Sequence, residues 1–242
     1  MIPKIIHYCW FGRNPLPVSI KRYIETWKKY CPDFEIKEWN ENNFDVTQNE
    51  YCKEAFENGK WAFVSDYVRL SVLYRYGGIY LDTDVEILKS LESLLENKFF
   101  MGMESEHNIS TAVIGAEKRC YLIKSLLSIY DNIHFIDKRK NIDYTTNVDR
   151  ISRFMEKEYK IKLKNNFFVF KNKCIIYPVD YFCAKNIFSN KIFITKNTYA
   201  IHHFSGSWLN CRGKIKNGIR IFLGRTFGEE FVKKIKSILN KF

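Results

Sequence analysis

The densest chemistry in the chain lies in Ile79-Tyr80-Leu81-Asp82-Thr83-Asp84-Val85. Two carboxylates, two residues apart, follow an apolar run. Within a strand they would share one face. Just past its end they can converge on one cation. Hard divalent ions such as Mg²⁺ and Mn²⁺ favour oxygen ligands of this kind, with waters and substrate phosphates completing the shell. Without a cation, two adjacent carboxylates repel each other. A pair of exposed turn aspartates is the plain alternative.

Three further groups have the right types. Asp66 and Arg69 are i,i+3 neighbours on one helix face. A carboxylate beside a guanidinium can hold sugar hydroxyls or phosphate oxygens, or it can be a structural ion pair. His202-His203-Phe204-Ser205-Gly206-Ser207-Trp208 offers an imidazole. With Asp82 and Asp84 it would complete a mixed nitrogen and oxygen site suited to Mn²⁺. A turn with a core Trp and half-buried histidines is the alternative. Trp10, near the end of the first apolar run, could stack on a planar base or simply pack in the core.

These residues need elements to position them. Residues 4–11 are β-branched and aromatic and end at Gly12, which reads as a buried first strand. Ile20, Tyr23, Ile24 and Trp27 recur at helical spacing until Cys31-Pro32 stops them. Residues 34–39 alternate as a strand. Residues 50–76 read as two helices broken near Gly59, the second apolar on nearly every side and therefore buried. Gly77-Gly78 ends it, and 79–81 is a short core strand. Further strands are expected at 99–103, 111–116, 174–177 and 199–203, and helices at 122–130 and 148–159. Strands alternating with helices predict a layered α/β fold.

The chain has 242 residues, 46% of them hydrophobic and 17% aromatic, with 5 Pro and 11 Gly. These values exclude a disordered chain, a collagen-like fibre and a small disulfide scaffold. No repeat or linker is evident, so a single domain over 1–242 is expected. Its last part, 212–242, differs: nine basic residues stand against Glu229 and Glu230, interleaved with Ile, Leu and Phe. That segment reads as a basic amphipathic helical tail. The net charge of +12 favours an anionic partner or a solvated basic surface. Seven cysteines without a CxxC pair argue against zinc-ribbon and thioredoxin chemistry. The first residues are too short an apolar run for a signal peptide. No run of about 18 apolar residues suggests a membrane span. A cytoplasmic location with reduced thiols is the resulting expectation.

Taken in order, IPKIIHYCWFG (2–12), AFVSDYVRLSVLYRYGGIYLDTDVEIL (62–88) and AIHHFSGSW (200–208) resemble glycosyltransferase family 32. That group has a sugar-binding region containing a DXD motif. Its members include capsular and cell-surface polysaccharide enzymes and initiating mannosyltransferases, with the clostridial glucosylating toxins as distant relatives. The resemblance implies a GT-A fold, with a Rossmann-like nucleotide-binding sheet and helices on both faces. It implies metal-dependent, retaining transfer of a sugar from a nucleotide-sugar; a UDP-linked hexose or N-acetylhexosamine is expected ahead of GDP-mannose, with a glycan or lipid-linked acceptor. In that picture Trp10 stacks on the nucleobase, and Asp66 and Arg69 hold the donor sugar. Asp82 contacts ribose or metal, Asp84 binds the Mn²⁺ or Mg²⁺, and His203 is the third ligand. Ser207 and Trp208 contact the diphosphate, and Tyr80 helps shape the donor site. The family often has Asn after the DXD loop and a Gly-Pro pair later. Here the places read Ser110-Thr111-Ala112 and Thr145-Thr146-Asn147, which leaves Asn147 as the candidate polar group facing the anomeric carbon.

Two other classes compete. A haloacid-dehalogenase-type phosphatase has DxDx[TV] after a strand, but the fifth position here is Glu86. A basic nucleic-acid-binding module fits the charge, yet no RRM, KH or zinc-finger spacing occurs, and no nucleic acid is expected. The basic tail suits peripheral attachment to an anionic inner membrane leaflet, or packing on the domain with a solvated face.

Overall fold

A computed structural model describes residues 1–170, 173–206, 211–228 and 231–232, with 211–217 described by backbone alone. In chain order the elements are β1 (Ile5–Cys9), α1 (Val18–Tyr30), β2 (Glu35–Trp39), α2 (Glu50–Glu57), α3 (Trp61–Tyr76), β3 (Gly78–Leu81), β4 (Val85–Ile87), β5 (Phe99–Met103), β6 (Ile109–Ala116), α4 (Tyr121–Leu127), α5 (Asn147–Tyr159), β7 (Phe168–Phe170), β8 (Cys174–Tyr177), α6 (Val179–Phe182), β9 (Ala200–His202) and α7 (Cys211–Phe227).

Seven strands form the central sheet in the order β2-β1-β3-β6-β5-β8-β7. β1 pairs in parallel with β2 and β3. β6 runs antiparallel to β3 and β5, and β5 is parallel to β8. Five strands (β1, β2, β3, β5 and β8) therefore end at one common edge. Ligands of open α/β sheets bind outside that edge. The residues that follow the strands there are Trp10, Asn40, Asp82, Glu104 and Pro178.

Alternation along the strands divides the core. Ile79 and Leu81 point to the face covered by α1, where Ile20, Ile24 and Trp27 are buried. Tyr80 points to the other face, where Val64, Val68, Val72 and Leu73 of α3 are buried. Helices cover both faces. α3 is apolar all round because it is enclosed by α2, α4 and the sheet. Three of its polar residues, Asp66, Arg69 and Ser71, are buried too.

Most expected elements are present, including the break between α2 and α3. The first strand stops at Cys9, so Trp10 lies beyond the pleat rather than within it. β4, β7 and α6 have only three or four residues each and carry too little periodicity to be read in sequence. β4 pairs antiparallel with β9, Val85 opposite His202. That ribbon brings the 200–206 segment to the Asp82–Asp84 loop. Cys9, Cys31, Cys52, Cys120, Cys174 and Cys183 are buried and free of disulfides.

Candidate active site

The site is built around Arg69. Its side chain is buried, 4% exposed, and each of its N–H groups has an acceptor. Nε donates to the Ser65 carbonyl at 3.1 Å. One terminal nitrogen reaches Ser65 Oγ at 3.0 Å and Asp66 Oδ1 at 3.0 Å. The other reaches Asp82 Oδ1 at 3.2 Å and the Thr111 carbonyl at 2.8 Å. Tyr80 lies under the guanidinium, 4.7 Å from centroid to charge, and donates its hydroxyl to Asp82 Oδ1 at 3.1 Å. Arg69 thus joins α3, the end of β3 and β6. Every donor is matched within the chain, so Arg69 positions Asp66 and Asp82.

Asp66 keeps one carboxylate oxygen outside the Arg69 pair. Burial pushes its carboxyl up to about 7, with the Arg69 charge opposing and Asp82 adding to the rise. The backbone N–H of Asn147, at the start of α5, faces it. The Asn147 side chain is engaged elsewhere. Its Oδ1 accepts from Tyr130 at 2.9 Å, its Nδ2 donates to the Asp66 carbonyl at 3.4 Å, and it is 2% exposed. In the structure Asn147 ties α5 to α3.

Asp82, Asp84 and His202 form the one cluster of this kind among the described residues: their nearest ligand atoms lie within 4.8 Å of one another. His202 Nε2 is 3.3 Å from Asp84 Oδ1. Asp84 Oδ2 accepts the Ser205 N–H at 2.7 Å. Burial alone would push the Asp84 carboxyl up, but His202 and that N–H hold it down at about 2. Burial likewise opposes charge on His202, and Asp84 overrides it, raising the imidazole well above its ordinary value.

Here the structure corrects the expected third ligand. His203 points the other way, stacked on Tyr23 at 4.6 Å with Nε2 2.7 Å from Glu86. His202 closes β9 opposite Val85, and His203, the first residue past the ribbon, turns to Glu86 and Tyr23 instead. His202 Nδ1 is buried without a hydrogen-bond partner. Two partly exposed carboxylates and one imidazole nitrogen, grouped at the binding edge of the sheet, fit a divalent cation of Mn²⁺ type with positions left for water and phosphate.

Trp10 lies at the same edge, partly buried, its indole N–H donating to the Asn14 carbonyl at 2.6 Å. Ser207 and Trp208 fall outside the described residues. Two contributors had no signal in sequence. Thr111 anchors Arg69 from 42 residues away. Lys185 is half-buried, donates to the His203 carbonyl at 2.9 Å, and adds positive charge beside Asp84.

Comparison with known proteins agrees with this picture. Residues 17–101 match the family described as "Glycosyltransferase sugar-binding region containing DXD motif". Inositol phosphoceramide mannosyltransferase 3 of Schizosaccharomyces pombe is 31% identical over 149 residues, covering 55% of this chain and 40% of that protein. Mannosyl phosphorylinositol ceramide synthase SUR1 of Saccharomyces cerevisiae is 30% identical over 143 residues, 56% of this chain and 37% of the relative. The chain spans less than half the length of either. Among solved structures, PaToxG Glycosyltransferase superposes with a TM-score of 0.52 at 23% identity, over 66% of this chain and 70% of that one. The fold is the GT-A α/β type implied by the sequence resemblance.

Proposed function

We propose that the chain is a metal-dependent, retaining hexosyl- or N-acetylhexosaminyltransferase, with residues 17–101 as its DXD-containing sugar-binding region. The observation that carries the metal dependence is the convergence of Asp82, Asp84 and His202 at the carboxyl edge of the sheet. A divalent cation held there would supply Lewis-acid stabilisation of the departing nucleoside diphosphate.

The chain's own residues do the rest. Trp10 offers an aromatic face for the base beside the end of β1. Lys185 places a cation next to Asp84, where diphosphate charge would build up. Asp66, with one oxygen outside its ion pair, is placed to accept from donor-sugar hydroxyls. Arg69 and Tyr80 fix the carboxylates, so little reorganisation is needed as the sugar–phosphate bond lengthens towards an oxocarbenium-like state.

The donor is taken as UDP-linked and the acceptor as a glycan or lipid-linked oligosaccharide of capsular or cell-surface polysaccharide. The matched relatives are named mannosyl enzymes, so GDP-mannose belongs in any donor panel. For location, the reading is cytoplasmic, with peripheral contact to the inner leaflet through the tail. No described helix is long and apolar enough to cross a membrane. Supporting attachment, α7 exposes Ile219, Phe222 and Phe227 beside Arg225. Anionic vesicles should sediment the full chain and lose it when 225–242 are removed; unchanged sedimentation would end that role for the segment.

The deciding experiment is nucleotide release from UDP-glucose, UDP-galactose, their N-acetyl forms and GDP-mannose, with Mn²⁺, for wild type and Asp84→Ala. Turnover of one donor, lost with chelator and in the variant, is expected. Absence of turnover and of binding with every donor, in folded protein, would overturn the assignment.

A further inference from the structure

The loop that carries Lys185 has an apolar tip turned to solvent. Ile192, Phe193 and Ile194 are 47%, 60% and 62% exposed, within the exposed run 191–196. The backbone of this loop is held from both sides. Ile192 pairs antiparallel with Lys185. The Phe193 N–H donates to the Ala184 carbonyl at 2.7 Å, and the Asn186 N–H to the Lys191 carbonyl at 2.9 Å. Thr195 Oγ1 and Asn197 Nδ2 donate to Asp180 Oδ2 at 2.8 and 3.1 Å. The Lys89 ammonium donates to the Lys196 carbonyl at 2.9 Å. The fold therefore presents these three side chains in a fixed place. A run of exposed apolar residues is unfavourable in water and marks a surface that something else covers.

Charge and area decide what covers it. Lys191 and Lys196 flank the tip, and no Asp or Glu occurs from 181 to 206. Asp180 is taken up by Thr195 and Asn197. α7 is fastened to the same loop. A Cβ on Gly224 would lie 2.4 Å from the Phe188 carbonyl oxygen, and Arg225 Nε donates to the Ser189 carbonyl at 2.9 Å. The exposed Ile219, Phe222 and Phe227 of α7 are thus anchored to the loop that bears the tip. Three partly exposed side chains fall far short of the roughly 800 Å² per partner of a stable protein interface. A bilayer needs no matched area. Apolar side chains enter the acyl boundary while flanking lysines meet anionic headgroups.

We propose that the 191–196 loop inserts its Ile192-Phe193-Ile194 tip into an anionic bilayer, as a second contact beside α7 and the basic tail. The inference rests on the peripheral-membrane reading and deepens it. Two weak contacts together give stable attachment where one alone is readily reversed. The loop also sets where the metal cluster sits. Lys185, directly across from Ile192, donates to the His203 carbonyl at 2.9 Å and feels the charge of Asp84. A docked tip keeps that cluster near the headgroups, where an acceptor carried on a lipid would be reached.

The test is co-sedimentation of the full chain with vesicles of phosphatidylcholine, with and without phosphatidylglycerol. Wild type should sediment with the anionic vesicles. Replacing Ile192, Phe193 and Ile194 together by Ser should lower its partition at least tenfold, since apolar burial is what the tip contributes. The thermal midpoint should stay at the wild-type value because the three side chains are exposed. Lys191→Glu with Lys196→Glu should weaken anionic binding as well, and this variant reports even where the triple Ser variant does not fold. Wild-type sedimentation by both variants would overturn the loop and leave the tail as the anchor. No sedimentation of wild type with either vesicle would overturn loop and tail together, while nucleotide release still judges the transferase. A dimer that the triple variant dissolves, read by light scattering without vesicle binding, would assign the face to a second copy and overturn the bilayer.

Discussion

Arg69 is an organiser because a guanidinium presents five N–H groups in a fixed plane, and this site supplies an acceptor for every one. Lysine carries the same charge but only three donors on a flexible stem. Arg69→Lys would leave Asp66 or Asp82 without its partner in a buried setting. The expected loss is about 3–5 kcal/mol, as for a broken buried pair, read by urea unfolding; a cost below about 1 kcal/mol would mean the network is slack. The two adjacent histidines make a sharper contrast. His202 Nε2 faces Asp84, whereas His203 is held by Tyr23 and Glu86. In Mn²⁺ titration calorimetry, His202→Ala should lower affinity at least tenfold more than His203→Ala. The reverse order would restore His203 as the ligand and imply that the β4–β9 register shifts on metal binding.

Among the elements, the turn between α3 and β3 sets the whole edge. Gly77 has φ +69° and Gly78 φ +105°, which L side chains adopt at a cost. A Cβ on Gly78 would lie 2.6 Å from the Ile5 carbonyl and 2.9 Å from His7 Nε2. Gly78→Ala should therefore cost about 2–4 kcal/mol, from backbone strain plus displacement of β1. A thermal melt would show it, and a wild-type midpoint would contradict the tight packing. That turn was legible in the sequence as Gly-Gly after a long apolar helix, and so was α3's burial. The Asp82–Asp84 pair was legible as chemistry because it sits past an apolar strand. Other features had no local signal. β4 is three residues long, so nothing announced which imidazole the β4–β9 ribbon would turn inward. Arg69's saturation depends on Thr111, on a different strand. Glu104 stands in Met-Glu-Ser-Glu with no motif around it, and only the strand directions bring it to the edge that Asp82 occupies.

For the molecule as a whole, folding stability and pH are linked through buried histidines of opposite sign. His202 is raised by Asp84, so its contribution is full at low pH and fades as pH rises through the folded value. His7 does the opposite. It is a fully buried residue of β1, between β2 and β3, with Nε2 2.8 Å from the Gly77 carbonyl, and Nδ1 accepts the Trp39 indole N–H at 3.1 Å. Those partners define a neutral ring with its proton on Nε2. Burial is the main cause that lowers its pKa from 6.5 to about 4, and Lys37 adds to it. Between those values the unfolded chain binds the proton and the folded chain does not. Stability from His7 is thus complete above about pH 6.5 and is lost as pH falls towards about 4, about 3 kcal/mol in all. The measurement is urea unfolding of wild type and His7→Gln across about pH 4–8. The variant should be less stable at the alkaline end, since the Trp39–His7–Gly77 chain is broken. The gap between the two proteins should narrow by about 3 kcal/mol as pH falls from 6.5 to about 4. The His202–Asp84 pair is common to both and cancels in the difference. A constant gap over that range would mean that His7 titrates normally and that the seam joining β1, β2 and β3 is open to water.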